Sequence, residues 1–324
     1  MTTYKTFAVA GGLGGGTPGS ANIGNLIVRN LVTYPDVRVK VLARASSVGS
    51  SSAKELQALG VQVVPVDYSD RTSLVTALKD VQVVVSALTT TALDVQAALV
   101  DAVAATRNAP SSGNDGVQLF VPSEYGNDTT QVNEDSPLFP KRRVQLLLQD
   151  KGIPYTLFFT GPFADWVGHF TGPDDKGTIT IVGSGNERVS FTAIADAARF
   201  IAHALTSESS VYVLQQGVSL PPSPPARARV AQPPSELQNA QYRIQGSSAT
   251  FNDLAGLYKA RTTTRSVEIV HEAPEDALKR FRENGDFVAF LKAEWARGRG
   301  FLGEPLSNPL WSEWKPRDVR EFIE

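Results

Sequence analysis

The sequence predicts an α/β protein: a Rossmann-type, doubly wound parallel sheet followed by a smaller C-terminal α/β lobe. Three observations lead there. Valine-rich apolar runs alternate with amphipathic helical stretches through the first half of the chain. A glycine-rich stretch, "GGLGGGTPGSANIG", directly follows the first of those runs and precedes a helical one. The 324 residues, 42% hydrophobic and 20% charged, are enough for a large core and ordinary for a globular protein.

Taken in order, "TFAVAG" (6–11) reads as a buried strand, and "NIGNLIVRNLVTY" (22–34) sets Ile23, Leu26, Ile27 and Leu31 at helical spacing. "VRVKVLAR" (37–44) alternates as a second strand, and "SSAKELQALG" (51–60) is a short helix stopped by Gly60. "VQVVPVD" (61–67), "DVQVVVSAL" (80–88) and "VQLFVPS" (117–123) follow as strands, separated by helical patterns over 70–79 and 91–106. The helix "KRRVQLLLQDKG" (141–152) and the strand "PYTLFF" (154–159) complete the half. Short β-branched strands alternating with helices imply a parallel sheet covered on both faces.

The second half is less regular. "GTITIVGSGNERVSFT" (177–192) has the look of a hairpin around Gly183 and Gly185, and "AIADAARFIAHAL" (193–205) that of a helix. "QYRIQG" (241–246), "TFNDLAGLYKA" (250–260) and "SVEIVHE" (266–272) read as strand, helix and strand, before a helical tail rich in aromatic residues and charge. The stretch 217–236 is dense in proline and poor in large apolar residues, a composition that favours an extended loop. We therefore expect a nucleotide-binding domain over 1–160. The substrate lobe is expected mainly over 161–324, with segments returning to the first sheet and 217–236 as an insertion.

Composition narrows the function. A net charge of −2 gives no reason to expect a nucleic acid partner. With no cysteine, thiolate metal sites and cysteine nucleophiles are excluded, and the three histidines stand apart in sequence, so no metal site is expected. Neither a secretory leader nor an apolar run of about eighteen residues is visible, so a cytoplasmic protein without a membrane partner is expected.

The glycine stretch suits a dinucleotide pyrophosphate only in part. The usual fingerprint fits within about six positions, whereas Gly11 and Gly24 stand thirteen apart. Gly11 suits the tight turn after the strand, and Gly24 suits close packing of the following helix. The middle glycine is Gly14 counting forward, yet Ala21 counting back, which leaves about seven residues to bulge out. Arg44 ends the second strand. It is either a 2′-phosphate ligand favouring NADP over NAD or a solvated surface arginine. Asp67 and Ser86 end the third and fourth strands, either on the ligand edge or as turn and cap residues.

Catalytic groups are scarce. None of the eight tyrosines is followed four positions later by lysine, so the common Tyr-x-x-x-Lys pair is absent, as is a Gly-x-Ser-x-Gly elbow. Lys141 remains. It stands at a helix start near the end of the fifth strand, either as a proton-managing group or as an ordinary helix-start lysine.

The series "VQLFVPSEYGND", Lys141 and, eleven residues later, "GIPYTLFFTGPFADW" resembles the isoflavone reductase and phenylcoumaran benzylic ether reductase group of the NmrA-like, atypical short-chain dehydrogenases. "ANIGNLIVRNLV", "RVSFTAIADAARFIAHAL" and "YRIQGSSATFNDLAGL" are similar to further segments of that family, and the ending "LSNPLWSEWKPRDVREFI" is similar to its fungal members. The resemblance covers most of the chain. It implies an NADPH-dependent oxidoreductase that reduces an aromatic, phenylpropanoid-like or related small molecule, with Lys141 catalytic. It further implies that Asn22, Ile23 and Gly24 end the phosphate loop, that Arg44 supports NADP, and that Phe163 lies near the nicotinamide. Tyr125 and Trp166 then face the substrate. The alternative within the family is an NAD(P)-sensing regulatory protein that binds a protein partner without turnover. Two departures stand out: the expanded glycine loop, and a connection of about thirty residues after Thr206, most of it the proline-rich segment.

Overall fold

A computed structural model describes residues 4–14, 22–89, 92–108, 116–206, 237–262 and 266–323. The proline-rich segment and the bulk of the glycine-loop excess, 15–21, lie outside them.

The first half runs β1 (Thr6–Ala10), α1 (Ile23–Leu31), β2 (Arg38–Ala43), α2 (Ser51–Ala58), β3 (Gln62–Pro65), α3 (Arg71–Ala77), β4 (Val83–Ser86), α4 (Leu93–Asn108), β5 (Leu119–Val121), α5 (Phe139–Asp150) and β6 (Thr156–Phe159). The first five strands form one parallel sheet in the order β3-β2-β1-β4-β5. The chain reverses direction across β1 and β4, which is where open α/β sheets leave a crevice at the strands' C-terminal ends.

Strand alternation feeds two cores, one on each face. Phe7, Val9, Val83, Val85, Leu119 and Val121 pack with α1 on one side, while Ala8, Ala10, Val84 and Phe120 pack with α3, α4 and α5 on the other. Helix starts are satisfied locally: Asn22, Ser50 and Asp70 accept backbone N–H groups at the N-termini of α1, α2 and α3.

The second half contributes α6 (Val167–Thr171), β7 (Thr178–Val182), β8 (Arg188–Phe191), α7 (Ile194–Thr206), β9 (Ala240–Arg243), β10 (Ser247–Thr250), α8 (Phe251–Arg261), β11 (Glu268–Glu272), α9 (Pro274–Asn284) and α10 (Phe287–Ala296). Part of it returns to the first half. Strand β9 pairs in parallel with β6, which itself meets β5 through a Phe120–Tyr155 bridge. Helix α7 packs against α1 through Ile194, Ala197, Ala198, Ile201 and Leu205. A third core, with Phe170, Ile179, Phe191, Leu254 and Trp295, holds β7, β8, β10, α6, α8 and α10 together.

The expected hairpin over 177–192 is corrected. Strands β7 and β8 flank the Gly183–Gly185 turn, but β7 pairs in parallel with β11 and β8 antiparallel with β10. Both glycines are left-handed and held from outside the turn: a Cβ on Gly183 would meet Ala296 Cβ at 2.9 Å, and one on Gly185 would meet Asn252 Oδ1 at 2.7 Å. The turn thus sends two buried strands to separate partners. Strand β10 carries no valine or isoleucine and went unrecognised in the sequence. Helix α5 begins at Phe139 with Pro140 in its first turn, which places Lys141 inside the first turn. No helix among the described residues is long and apolar enough to cross a membrane.

Candidate active site

The glycine turn after β1 presses directly on the end of β4. Gly11 has φ +86°, and a Cβ there would lie 2.4 Å from Ala87 O. On Gly24, the second residue of α1, a Cβ would lie 2.6 Å from Gly11 O and 2.8 Å from Ala87 Cβ. Strand, turn and helix therefore meet with no room for a side chain at either glycine. Asn25 ties the same corner, donating to Gly12 O at 3.1 Å.

Gly14, the middle position counted forward, lies beside the start of α1. It is left-handed at φ +89°, and a Cβ on it would stand 3.9 Å from Asn22 Cβ. The two ends of the cradle are thus adjacent, and the excess residues 15–21 fall between them. Asn22 caps α1 through Asn25 N at 3.0 Å, which leaves Ile23 N–H and Gly24 N–H as the helix-start donors without a protein partner among the described residues. Free N–H groups at a helix N-terminus suit a phosphate.

At the far side of the sheet edge, Arg44 is exposed and forms no ion pair among the described residues. Tyr68 stands beside it, half-buried, its hydroxyl donating to Leu42 O at 3.1 Å. Burial pushes that phenol up to about 12, against the pull of the Arg44 guanidinium. Asp67 is exposed and closes a local turn: its carboxylate accepts from the Ser69 hydroxyl at 2.6 Å and from Ser69 N at 2.8 Å, which lowers its pKa. That is the turn role the sequence left open for it. Ser86 is fully buried, and its Oγ has no partner among the described residues.

Ser86 links the cradle to the lysine. Its carbonyl accepts from the Tyr125 hydroxyl at 3.0 Å. Tyr125 is buried with φ +33°, an uncommon conformation for a bulky residue, and burial raises its pKa strongly. On either side of it, the turn 124–126 faces Lys141. Lys141 Nζ donates to Glu124 O, and a Cβ on Gly126 would come within 3.9 Å of Nζ. Burial lowers the Lys141 pKa, while the Glu124 carboxylate acts in the opposite sense. Lys141 as a whole is half-buried, with Nζ set against the Glu124 carbonyl.

Gly126 O also accepts Thr160 N and Gly161 N, both at 3.0 Å, so the turn is fastened to the end of β6. Phe163 follows, buried, bridged to Thr192 and packed in the same core as Tyr125. Trp166 meets it edge-on with ring centroids 5.4 Å apart and stays 44% exposed, a flat apolar face open to solvent. Gly11, Gly14, Asn22, Ile23, Gly24, Ser86, Tyr125, Lys141, Phe163 and Trp166 thus form one continuous row along the sheet edge. Arg44 and Asp67 stand apart from it, at the ends of β2 and β3.

Sequence reasoning missed the layer behind Lys141. Glu124 is 1% exposed, and its carboxylate accepts the Thr129 hydroxyl at 2.7 Å and the Gln145 amide at 2.8 Å. Gln145 in turn accepts from Arg142 at 2.7 Å. Glu124 lies within the "PSEYG" stretch, but nothing in the sequence marks Thr129 or Gln145 as its partners.

Known proteins resemble this chain in sequence and fold. The model of the NmrA-like family matches residues 14–221. A phenylcoumaran benzylic ether reductase of Pinus taeda is 30% identical over 256 residues, 74% of this chain and 71% of that protein. Eugenol synthase 2 of Clarkia breweri is 29% identical over 334 residues, 94% of this chain and 96% of that protein. Among solved structures, the binary complex of leucoanthocyanidin reductase with NADPH from Vitis vinifera superposes with a TM-score of 0.74 at 21% identity, covering 98% of both chains. The fold is shared, and the chain belongs to the NmrA-like family.

Proposed function

We propose that the chain is an NADPH-dependent reductase that acts on an aromatic, phenylpropanoid-like small molecule. The observation that carries this reading is the row joining the two described ends of the glycine cradle to Lys141 through Ser86, Tyr125 and the 124–126 turn. The chemistry of the donors fits the cofactor. Gly11, Gly14, Asn22, Ile23 and Gly24 would admit the pyrophosphate, Arg44 the 2′-phosphate by a charge-assisted contact, and Asp67 and Ser86 would border the nucleotide. When bound, NADPH supplies the hydride. The chain's own part is to exclude water with Phe163 and Tyr125, to offer Trp166 as an aromatic wall, and to donate or hold a proton at Lys141 Nζ. The relatives' names support this substrate class, as they include a phenylcoumaran benzylic ether reductase and a eugenol synthase. The fungal affinity rests on the C-terminal ending alone.

The test is NADPH oxidation with a phenylcoumaran benzylic ether as first substrate, by the protein and by Lys141→Ala. We expect turnover to fall about 10²- to 10⁴-fold in the variant, with NADPH binding largely kept. An unaffected variant would remove Lys141 from the chemistry. Tight NADPH binding with no turnover across phenylpropanoid substrates would instead favour the sensing role.

A further inference from the structure

We propose that Glu124 is the positioning residue for the Lys141 ammonium: its buried carboxylate, clamped by Thr129 and Gln145, locks the turn whose Glu124 carbonyl receives Nζ and supplies the negative charge that the ammonium feels. The inference rests on the reading of Lys141 as the proton-managing group.

A buried carboxylate is costly unless its lone pairs are filled. Here both oxygens are. Oε2 accepts the Thr129 hydroxyl and Oε1 the Gln145 amide, and the same amide also donates to Thr129 Oγ at 2.8 Å. The direction of these bonds is fixed from outside, because Arg142 donates to Gln145 Oε1 and so turns the Gln145 amide nitrogen toward Glu124. The Gln145 contact therefore demands an acceptor at 124, and the carboxylate meets both partners as one.

That clamp sits directly behind an otherwise strained turn. Tyr125 is left-handed, and its N–H donates to Phe158 O at 3.1 Å, while Gly126 O is held by two N–H groups. With the Glu124 side chain anchored at one end and Gly126 at the other, the Glu124 carbonyl has one orientation, and it is the one that meets Lys141 Nζ. The other charged groups nearby are already engaged: Arg142, the lysine's neighbour on α5, by Gln145, and Asp128, on the loop before α5, by Arg243. Glu124 is left as the charge that acts on the ammonium.

The experiment is an NMR pH titration of the full chain labelled with ¹³C at lysine Cε, with the Lys141 signal assigned by Lys141→Arg. Two variants are compared with the parent. In Glu124→Gln the charge is lost and one of the two acceptors becomes a donor, directed at a Thr129 Oγ that already accepts from Gln145. In Glu124→Gln/Gln145→Glu the hydrogen-bond polarity is restored, but the charge moves next to Arg142. We expect Glu124→Gln to shift the Lys141 titration to lower pH and to lower the unfolding temperature. The double variant should recover the unfolding temperature while the titration stays low. A Lys141 titration unchanged in both variants overturns the proposal, as does full recovery of the titration in the double variant, which would assign Glu124 a purely structural part. Calorimetry with NADPH on the parent protein separates this outcome from the functional reading: a Glu124-dependent lysine without NADPH binding keeps the positioning and discards the reductase.

Discussion

His203 stacks on Trp311 with ring centroids 4.0 Å apart and planes 11° apart, and its Nδ1 lies 3.3 Å from the Tyr34 hydroxyl. Burial lowers its pKa to about 4, against the opposing pull of Glu313. The unfolded chain takes up this proton below about pH 6.5, whereas the folded one resists it until about pH 4. Stability attached to His203 is thus complete above pH 6.5 and is lost as pH falls through that window. Because the ring is partly exposed, its share is on the order of 1–2 kcal/mol. In thermal unfolding series from pH 7 to pH 4, His203→Gln should show a flatter decline than the parent. Parallel declines would contradict the assignment. None of this was visible in the sequence, where His203, Tyr34 and Trp311 lie far apart. Lys141 and Tyr125, by contrast, are marked by local sequence, though their connections through Glu124 and Ser86 are not.

The decisive element is the β1–turn–α1 unit, where Gly11 and Gly24 have no room for a side chain, unlike Gly256 on the surface of α8. Gly24→Ala would force a methyl onto Gly11 O and Ala87 Cβ. We expect a loss of about 1–3 kcal/mol together with weaker NADPH binding by calorimetry. Gly256→Ala, exposed in the middle of α8 with nothing within 4 Å of the added Cβ, should instead stabilise by about 0.5–1 kcal/mol in chemical denaturation. Equal effects at the two sites would contradict the close packing described for Gly24. Elements such as β1, β4 and α7 were legible because a strand buried on both faces reads as an unbroken apolar run, and a half-buried helix repeats every three to four residues. The β7–β8 pairing was misjudged because a glycine turn specifies a change of direction and leaves open which strands pair. Strand β10 was missed because "SSAT" takes its conformation from pairing with β8, a tertiary effect that overrides weak local preference.

At the scale of the whole molecule, the C-terminal segment ties α7 to β10. Trp314 Nε1 donates to Asp196 O at 3.1 Å and Arg317 N to Asp196 Oδ2 at 2.9 Å, both on α7. Val319 N donates to Ser247 Oγ at 2.8 Å on β10. With β9 joined to β6 and α7 laid on α1, the second half of the chain packs against the first. The particular partners are not legible in the sequence, since long-range pairing leaves no periodic trace. In the function proposed above, the expanded glycine loop leaves a working NADPH cradle with Arg44 at its phosphate end. Calorimetric titration of the full chain with NADPH and NADH, for the parent and Arg44→Ala, tests it most directly. The parent should prefer NADPH, and loss of one charge-assisted contact should weaken NADPH about 10- to 100-fold while barely moving NADH. Absence of NADPH binding to the parent, or an equal loss for both nucleotides in the variant, would contradict it.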